Sequence, residues 1–150
     1  MINVQEADFD LNKQYTMLRA KDNTDGAIVT FIGLVRDFNQ GHDVTGLFLE
    51  HYPAMTQKSL EKISDRAKKR FNVNQLDIIH RVGQLNLGDQ IVYVGVSSPH
   101  REEAFSCAQF VMDFLKKEAP FWKKETRKQH NKDVWVETNQ KDKEALKKWQ

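Results

Sequence analysis

The spacing of hydrophobic positions changes period along this chain, and each change marks an element. From Gly26 to Val35 the run GAIVTFIGLV is apolar on successive residues and rich in β-branched and aromatic side chains, which predicts a strand buried on both faces. Residues 47–52 (LFLEHY) predict another strand. Pro53 then stands where a helix can begin, and Met55, Leu60, Ile63 and Ala67 fall near helical spacing, so a helix is expected to about Arg70. Residues 75–82 and 90–98 read as two strands paired as a hairpin through Leu87-Gly88-Asp89. Ser98 is then expected to N-cap a helix with Pro99 at its first position and with Ala104, Phe105, Ala108, Val111, Met112 and Leu115 along its apolar stripe. Pro120 stops that helix.

The ends and the remaining segments carry weaker patterns. Residues 2–8 suit a short edge strand, and Asp10 is placed to cap a helix running through Met17 and Leu18. The polar stretch DFNQGHDVTG, Asp37 to Gly46, buries little apolar surface and is expected to be a mobile loop. Phe121 to Thr126 and Asp133 to Glu137 suit short strands, and Lys141 to Trp149 a polar closing helix. The order β-α-β-β-α-β-β-α-β-β-α predicts an α+β fold with largely antiparallel pairing.

Composition narrows the class. The 150 residues contain no repeat and no linker-like stretch, so a single domain over 1–150 is expected. The net charge of +2 arises from 23 basic and 21 acidic residues, a near balance that argues against general nucleic-acid binding and makes any anion site local. The one cysteine, Cys107, has no disulfide partner within the chain, and MINVQEADFD lacks the basic and apolar regions of a signal peptide. A cytoplasmic location is expected. No apolar run reaches the ~20 residues needed to span a bilayer, so no membrane insertion is expected.

Two clusters can carry chemistry. In Ser98-Pro99-His100-Arg101, free backbone N–H groups at a helix start meet two potentially cationic side chains, which suits a phosphate; the alternative is a helix start with solvated side chains. In the second, Lys116, Lys117, Lys123 and Lys124 surround Ala119-Pro120-Phe121-Trp122. Such lysines normally form a solvated face; the alternative is that Phe121 and Trp122 set some of the amines beside a low-dielectric wall, where desolvation and mutual repulsion create neutral, nucleophilic amine. Strand alternation puts Phe121, Lys123 and Glu125 on one face and Trp122 and Lys124 on the other. Arg36, following a strand and preceding a polar loop, can reach an anion at the sheet end or stay in solvent. His51 and His80 have no partner at metal-ligand spacing and read as packed histidines, so no metal is expected. Cys107 reads as a small core residue. No phosphate-loop, dinucleotide or serine-hydrolase motif occurs.

Taken together, DGAIVTFIGLVRD, LEHYPAMTQKSL, IIHRVGQLNLGDQIVYVGVSSPHREEAFSCAQFVMDFLKKEAPFWKKE and DVWVE resemble the large-subunit family of molybdopterin synthases over nearly the whole chain. The specific blocks are Phe-x-Gly-x-Val-Arg at Phe31 to Arg36, the His100-Arg101 pair, and the Lys-x-x-x-Pro-Phe-Trp-Lys run. The resemblance implies an α/β hammerhead with an antiparallel β subdomain, and a central homodimer with one small ubiquitin-like subunit docked at each end, a heterotetramer. It implies sulfur transfer from the small subunit's C-terminal thiocarboxylate to cyclic pyranopterin monophosphate, forming a dithiolene, with no resident cofactor. Lys116 and Lys123 match the family's essential lysines. Arg36, His100 and Arg101 match its anion-binding residues, and Phe31, Met112 and Glu125 match residues lining or supporting the pocket. Asn139 and the turn at 127–132 depart from the family pattern. A rival reading is a non-catalytic adaptor that grips a ubiquitin-like tail or a phosphorylated ligand.

Overall fold

The structure is a computed structural model that describes residues 1–19, 23–39, 42–127, 132–136 and 140–150; Asn139 and most of the turn at 127–132 lie outside them. Along the chain the elements are β1 (Ile2–Gln5), α1 (Leu11–Arg19), β2 (Ala27–Leu34), β3 (Phe38–Asn39), β4 (His42–His51), α2 (Pro53–Arg70) and β5 (Gln75–Arg81). They continue with β6 (Gly83–Asn86), β7 (Gln90–Ser98), α3 (Arg101–Glu118), β8 (Phe121–Arg127), β9 (Lys132–Val136), α4 (Gln140–Ala145) and a 3₁₀ turn (Leu146–Trp149). The α+β class holds. No helix among the described residues is long and apolar enough to cross a membrane.

The first sheet has the order β1-β5-β7-β2, with β1 parallel to β5 and the other pairs antiparallel. Alternation along β5 and β7 turns Leu76, Ile78, Val92, Val94 and Val96 to one face, where they pack on Leu60, Ile63 and Ala67 of α2 and on Ala104, Cys107 and Val111 of α3. Ile79 and Tyr93 turn to the other face and meet Phe9 and Leu18, the latter on α1. Asp10 starts that helix as expected: its carboxylate accepts from the Lys13 N–H at 3.3 Å.

The strand expected to be buried on both faces, β2, is instead an edge, with Phe31 40% and Leu34 55% exposed. Its apolar run matches the composition of a central strand. The order of strands in the sheet, which that run does not encode, puts β5 and β7 in the centre instead.

The second sheet has the order β3-β4-β8-β9. β6 pairs with Gly46 to Leu49 of β4 on the edge opposite β8. Two short strands therefore stand where the sequence suggested connections. Part of the expected loop, Asp37 to Gly46, is β3 and the start of β4, paired through Phe38 with Asp43 and Asn39 with His42. Backbone pairing extends β4 beyond its buried positions, Leu47 and Leu49, because ladder hydrogen bonds need no apolar side chain. β5 and β7 do pair antiparallel, but β6 in their connection joins the two sheets, followed by a turn at Gly88 with φ 82°. A bulge interrupts the β4–β8 register between Val44 and Gly46.

Helix α2 begins at Pro53 and ends at Arg70, as expected, but its stripe starts from buried Thr56, and Met55 is 56% exposed. Likewise Phe105 is 63% exposed on α3. It lies about 100° round the helix from Ala104, off the stripe formed by residues 104, 107, 108, 111 and 115.

The chain's last residues are tied to α3. Trp149 donates its indole N–H to Asp113 at 2.7 Å, and its carbonyl accepts from Arg70 at 2.9 Å. The Trp149 ring meets Phe110 at 5.3 Å, and Phe110 also contacts Phe71 at 5.5 Å and Phe114 at 4.5 Å. Phe110→Ala removes the ring common to these contacts and is expected to lower unfolding free energy by on the order of 3–5 kcal/mol. Urea denaturation measures it, and a loss below about 1 kcal/mol would show that the cluster closes over the gap.

Candidate functional site

Two ends of the first sheet carry the candidate residues, and the topology decides which of them meet. β2 runs antiparallel to β7, so Leu34 stands beside Gln90 and Ala27 beside Ser98. α3 returns from the end of β7, which places its last turn, and Lys116, near the start of β7.

At that end the side chains converge around His80. β5 pairs His80 with Val92, near the start of β7. β8 turns Phe121, Lys123 and Glu125 to one face; their β4 partners are His51, Leu49 and Leu47, and Leu49, Leu47 and Glu125 are buried. The Phe121 ring stacks on the His80 imidazole at 4.0 Å with 22° between planes, and His51 approaches the same ring at 6.2 Å. His80 Nδ1 lies 2.8 Å from the Arg81 carbonyl, so the neutral ring carries its proton there and donates it. Burial pushes the His80 pKa down to about 3; the Arg81 carbonyl raises it, and the charges of Lys116, Lys123 and His51 lower it further. Lys116, exposed at the end of α3, and Lys123, half-buried on β8, therefore act on one buried imidazole. Met112 is buried one helical turn before Lys116. Lys117 is exposed.

The alternation expected for β8 holds. Lys124, on the opposite face from Lys123, places its ammonium 5.6 Å from the Phe48 ring and 5.1 Å from the Trp135 ring.

Arg36 is exposed just beyond β2 at the lysine end, where Val35 exchanges backbone hydrogen bonds with Gly88 and Asp89. Phe31 alternates with Ala27 and Val29, which pack on the α2/α3 face, so it shares the α3 side of β2.

His100 and Arg101 lie at the other end. α3 separates Arg101 from Lys116 by 15 residues, about 22 Å of helix. Within one chain the two clusters do not meet. The helix start also differs from the expected one: His100, with extended backbone, is the N-cap, and Ser98 lies before it. The Ser98 hydroxyl donates to the Asn72 carbonyl at 2.7 Å and accepts from the His100 N–H at 3.2 Å. Pro99 stays outside the helix because this hydroxyl braces the turn instead of capping α3. The N–H groups of Arg101, Glu102 and Glu103 have no intrahelical acceptor and face outward from α3. Gly26 sits so close that a Cβ there would overlap the Pro99 carbonyl oxygen, so that position requires glycine. A cavity of about 490 Å³ opens beside the turn, with Tyr15, Arg19, Asp25 and Gly26 on its wall.

His80 and His51 are the residues that a reading as packed histidines undervalues. His80 is packed and also belongs to the lysine corner. Its alternation with Leu76 and Ile78 toward the α3 side was the available signal. Cys107 behaves as expected: it is fully buried, and burial pushes its thiol up to about 12.

Comparison with known proteins identifies the family. The family model described as MoaE protein matches residues 4–118. The Haemophilus influenzae molybdopterin synthase catalytic subunit is 51% identical over 148 residues, covering 99% of this chain and 97% of that one. A solved structure of the molybdopterin biosynthesis MoaE protein from Burkholderia ambifaria superposes with a TM-score of 0.84 at 45% identity, covering 99% of this chain and 97% of that one. A Helicobacter pylori structure, the protein–protein complex of subunits 1 and 2 of molybdopterin-converting factor, shares the fold with a TM-score of 0.72 at 22% identity over 91% and 90% of the two chains. A family model matched over residues 4–118, together with a relative 51% identical over nearly the whole of both chains, places this chain in the MoaE protein family.

Proposed function

We infer that this chain is the catalytic subunit of a molybdopterin synthase, a sulfurtransferase of molybdenum cofactor biosynthesis. The observation that carries the reading is the convergence of Lys116 and Lys123 on one buried imidazole, in a chain 51% identical to a molybdopterin synthase catalytic subunit. A small ubiquitin-like subunit supplies the sulfur as a C-terminal thiocarboxylate, and cyclic pyranopterin monophosphate accepts it. The sulfur bonds to a pterin side-chain carbon as a thioester of the small subunit; water then cleaves the acyl–sulfur bond, leaving the sulfur on the pterin and the small subunit as a carboxylate, and proton transfers accompany both steps. Lys116 moves the proton, and Lys123 holds the thiocarboxylate or pterin in place. Phe31, Met112 and Glu125 shape and brace the pocket around them. Arg36, His100 and Arg101 hold the substrate phosphate. The reaction takes place in the cytoplasm.

One pterin cannot bridge about 22 Å of helix to touch both Lys116 and Arg101 of the same chain. We therefore propose a homodimer in which His100 and Arg101 of one protomer complete the lysine corner of the other, with one small subunit at each end. The β2 edge, with Phe31 and Leu34 exposed, supports such a contact.

Complementation tests the catalytic reading and the sharing of sites together. Lys116→Ala and Arg101→Ala homodimers, mixed with thiocarboxylated small subunit and precursor, should each form little dithiolene. Mixed dimers carrying one copy of each variant should regain turnover, because one of their two sites is then intact. Verified mixed dimers that stay inactive would overturn the shared site. Wild-type protein that binds both ligands yet forms no dithiolene would leave the adaptor reading in place.

A further inference from the structure

The face of β8 turned away from Lys123 has its own chemistry. Trp122 and Lys124 point outward there; the register sets Glu50 opposite Trp122, and Phe48 and Trp135 opposite Lys124. Tyr52 follows β4 directly, and its ring meets Trp122 edge-on at 5.2 Å and 88°. Trp122, Trp135 and Tyr52 remain 45%, 53% and 61% exposed. Glu50, Tyr52, Trp122 and Trp135 line an open cleft of about 240 Å³. That is below the ~300–1,000 Å³ of small-molecule pockets, so it suits a single inserted side chain.

We propose that this cleft docks one arginine or lysine side chain from the surface of a protein partner. Two perpendicular aromatic walls with a carboxylate beside them form a cation site, because ring faces attract positive charge and a carboxylate adds direct pairing. The Glu50 carboxylate forms no ion pair or hydrogen bond with the described residues, so its charge is free for an incoming cation. The Trp135 indole already holds an ammonium, that of Lys124. Its position toward Phe48 leaves the Tyr52–Trp122 corner open. An exposed aromatic cluster of this kind on a sheet face is also unusual unless something covers it. The cleft lies on the reverse side of the strand that carries Lys123, and the inference does not depend on the proposed reaction.

The test is an NMR titration of the full-length protein with three blocked tripeptides, acetyl-Gly-X-Gly-amide, in which X is arginine, neutral citrulline or glutamate. The indole N–H signals of Trp122 and Trp135 report on the cleft, and that of Trp149, already bonded to Asp113, serves as the internal reference. The arginine peptide should shift both cleft indoles saturably and bind about fivefold more tightly than the citrulline peptide. Glu50→Gln should bring it down to the citrulline level with an unchanged thermal midpoint. Equal binding of arginine and citrulline peptides, an arginine affinity indifferent to Glu50→Gln, or no shift at all would each overturn the proposal.

Discussion

Lys116→Ala is expected to lower single-turnover dithiolene formation by ~10²–10⁴-fold, the usual contribution of a positioned acid–base group, while the thermal midpoint barely moves. The two readouts separate because Lys116 is exposed at the end of α3, where a lysine contributes only tenths of a kcal/mol through the helix dipole. Lys117 provides the control. It is exposed in the same helical turn, so it meets the same dipole, but it lies about 100° round the helix from Lys116, which acts on His80. Lys117→Ala should therefore keep near-normal rates. If both variants keep near-normal single-turnover rates, the lysine corner is a solvated face and the mechanism fails.

The second large effect is on stability against pH. The His80 pKa is depressed from 6.5 to about 3 in the folded protein, chiefly by burial. Between those values the unfolded chain binds a proton that the folded chain refuses. This contribution to stability is fully present above pH 6.5 and is lost as pH falls toward 3, at up to about 1.4 kcal/mol per pH unit. By pH 4 the loss reaches roughly 3 kcal/mol. Lys116, Lys123 and His51, which face His80, all disfavour a proton there and so widen the pH window over which the loss develops. His80→Gln removes the titrating group, and its unfolding free energy should decline less steeply between pH 7 and 4 than that of the parent. Urea melts across that range decide the matter; parallel slopes for the two proteins would mean that His80 is protonated in the folded state as readily as in the unfolded one.

Sequence patterns were informative wherever a local signal and a tertiary role coincided. Pro53 and the stripe through Leu60, Ile63 and Ala67 gave both ends of α2, because a proline start and an apolar face are each written in neighbouring residues. The two faces of β8 followed from alternation alone. β6 was hidden, since GQLN buries only Leu85 and exists as a strand because an edge of β4 needs a partner. The edge position of β2 was hidden for a similar reason: Phe31 and Leu34 look like core residues until strand order leaves them at a margin. In the site, residue types were legible and distances were not. Lys116, Lys123 and Arg36 fall at one end and His100 and Arg101 at the other only because α3 folds back along β7.

The bulge between Val44 and Gly46 bears on how this region can change in evolution. It lies past Leu47 and Glu125, the last inward pair of the lysine face, so the register from there to His51 and Phe121 is unbroken. Side chains in a strand alternate by one, and inserting or deleting a single residue within that unbroken stretch would exchange its two sides, sending Lys123 outward and Trp122 inward. Even-numbered changes would preserve the arrangement. Odd ones are tolerable only beyond Leu47, where the irregularity already absorbs an extra residue. Length variation among relatives should therefore gather at the distal end of the β4–β8 ladder, and parity should guard the end that carries the lysine.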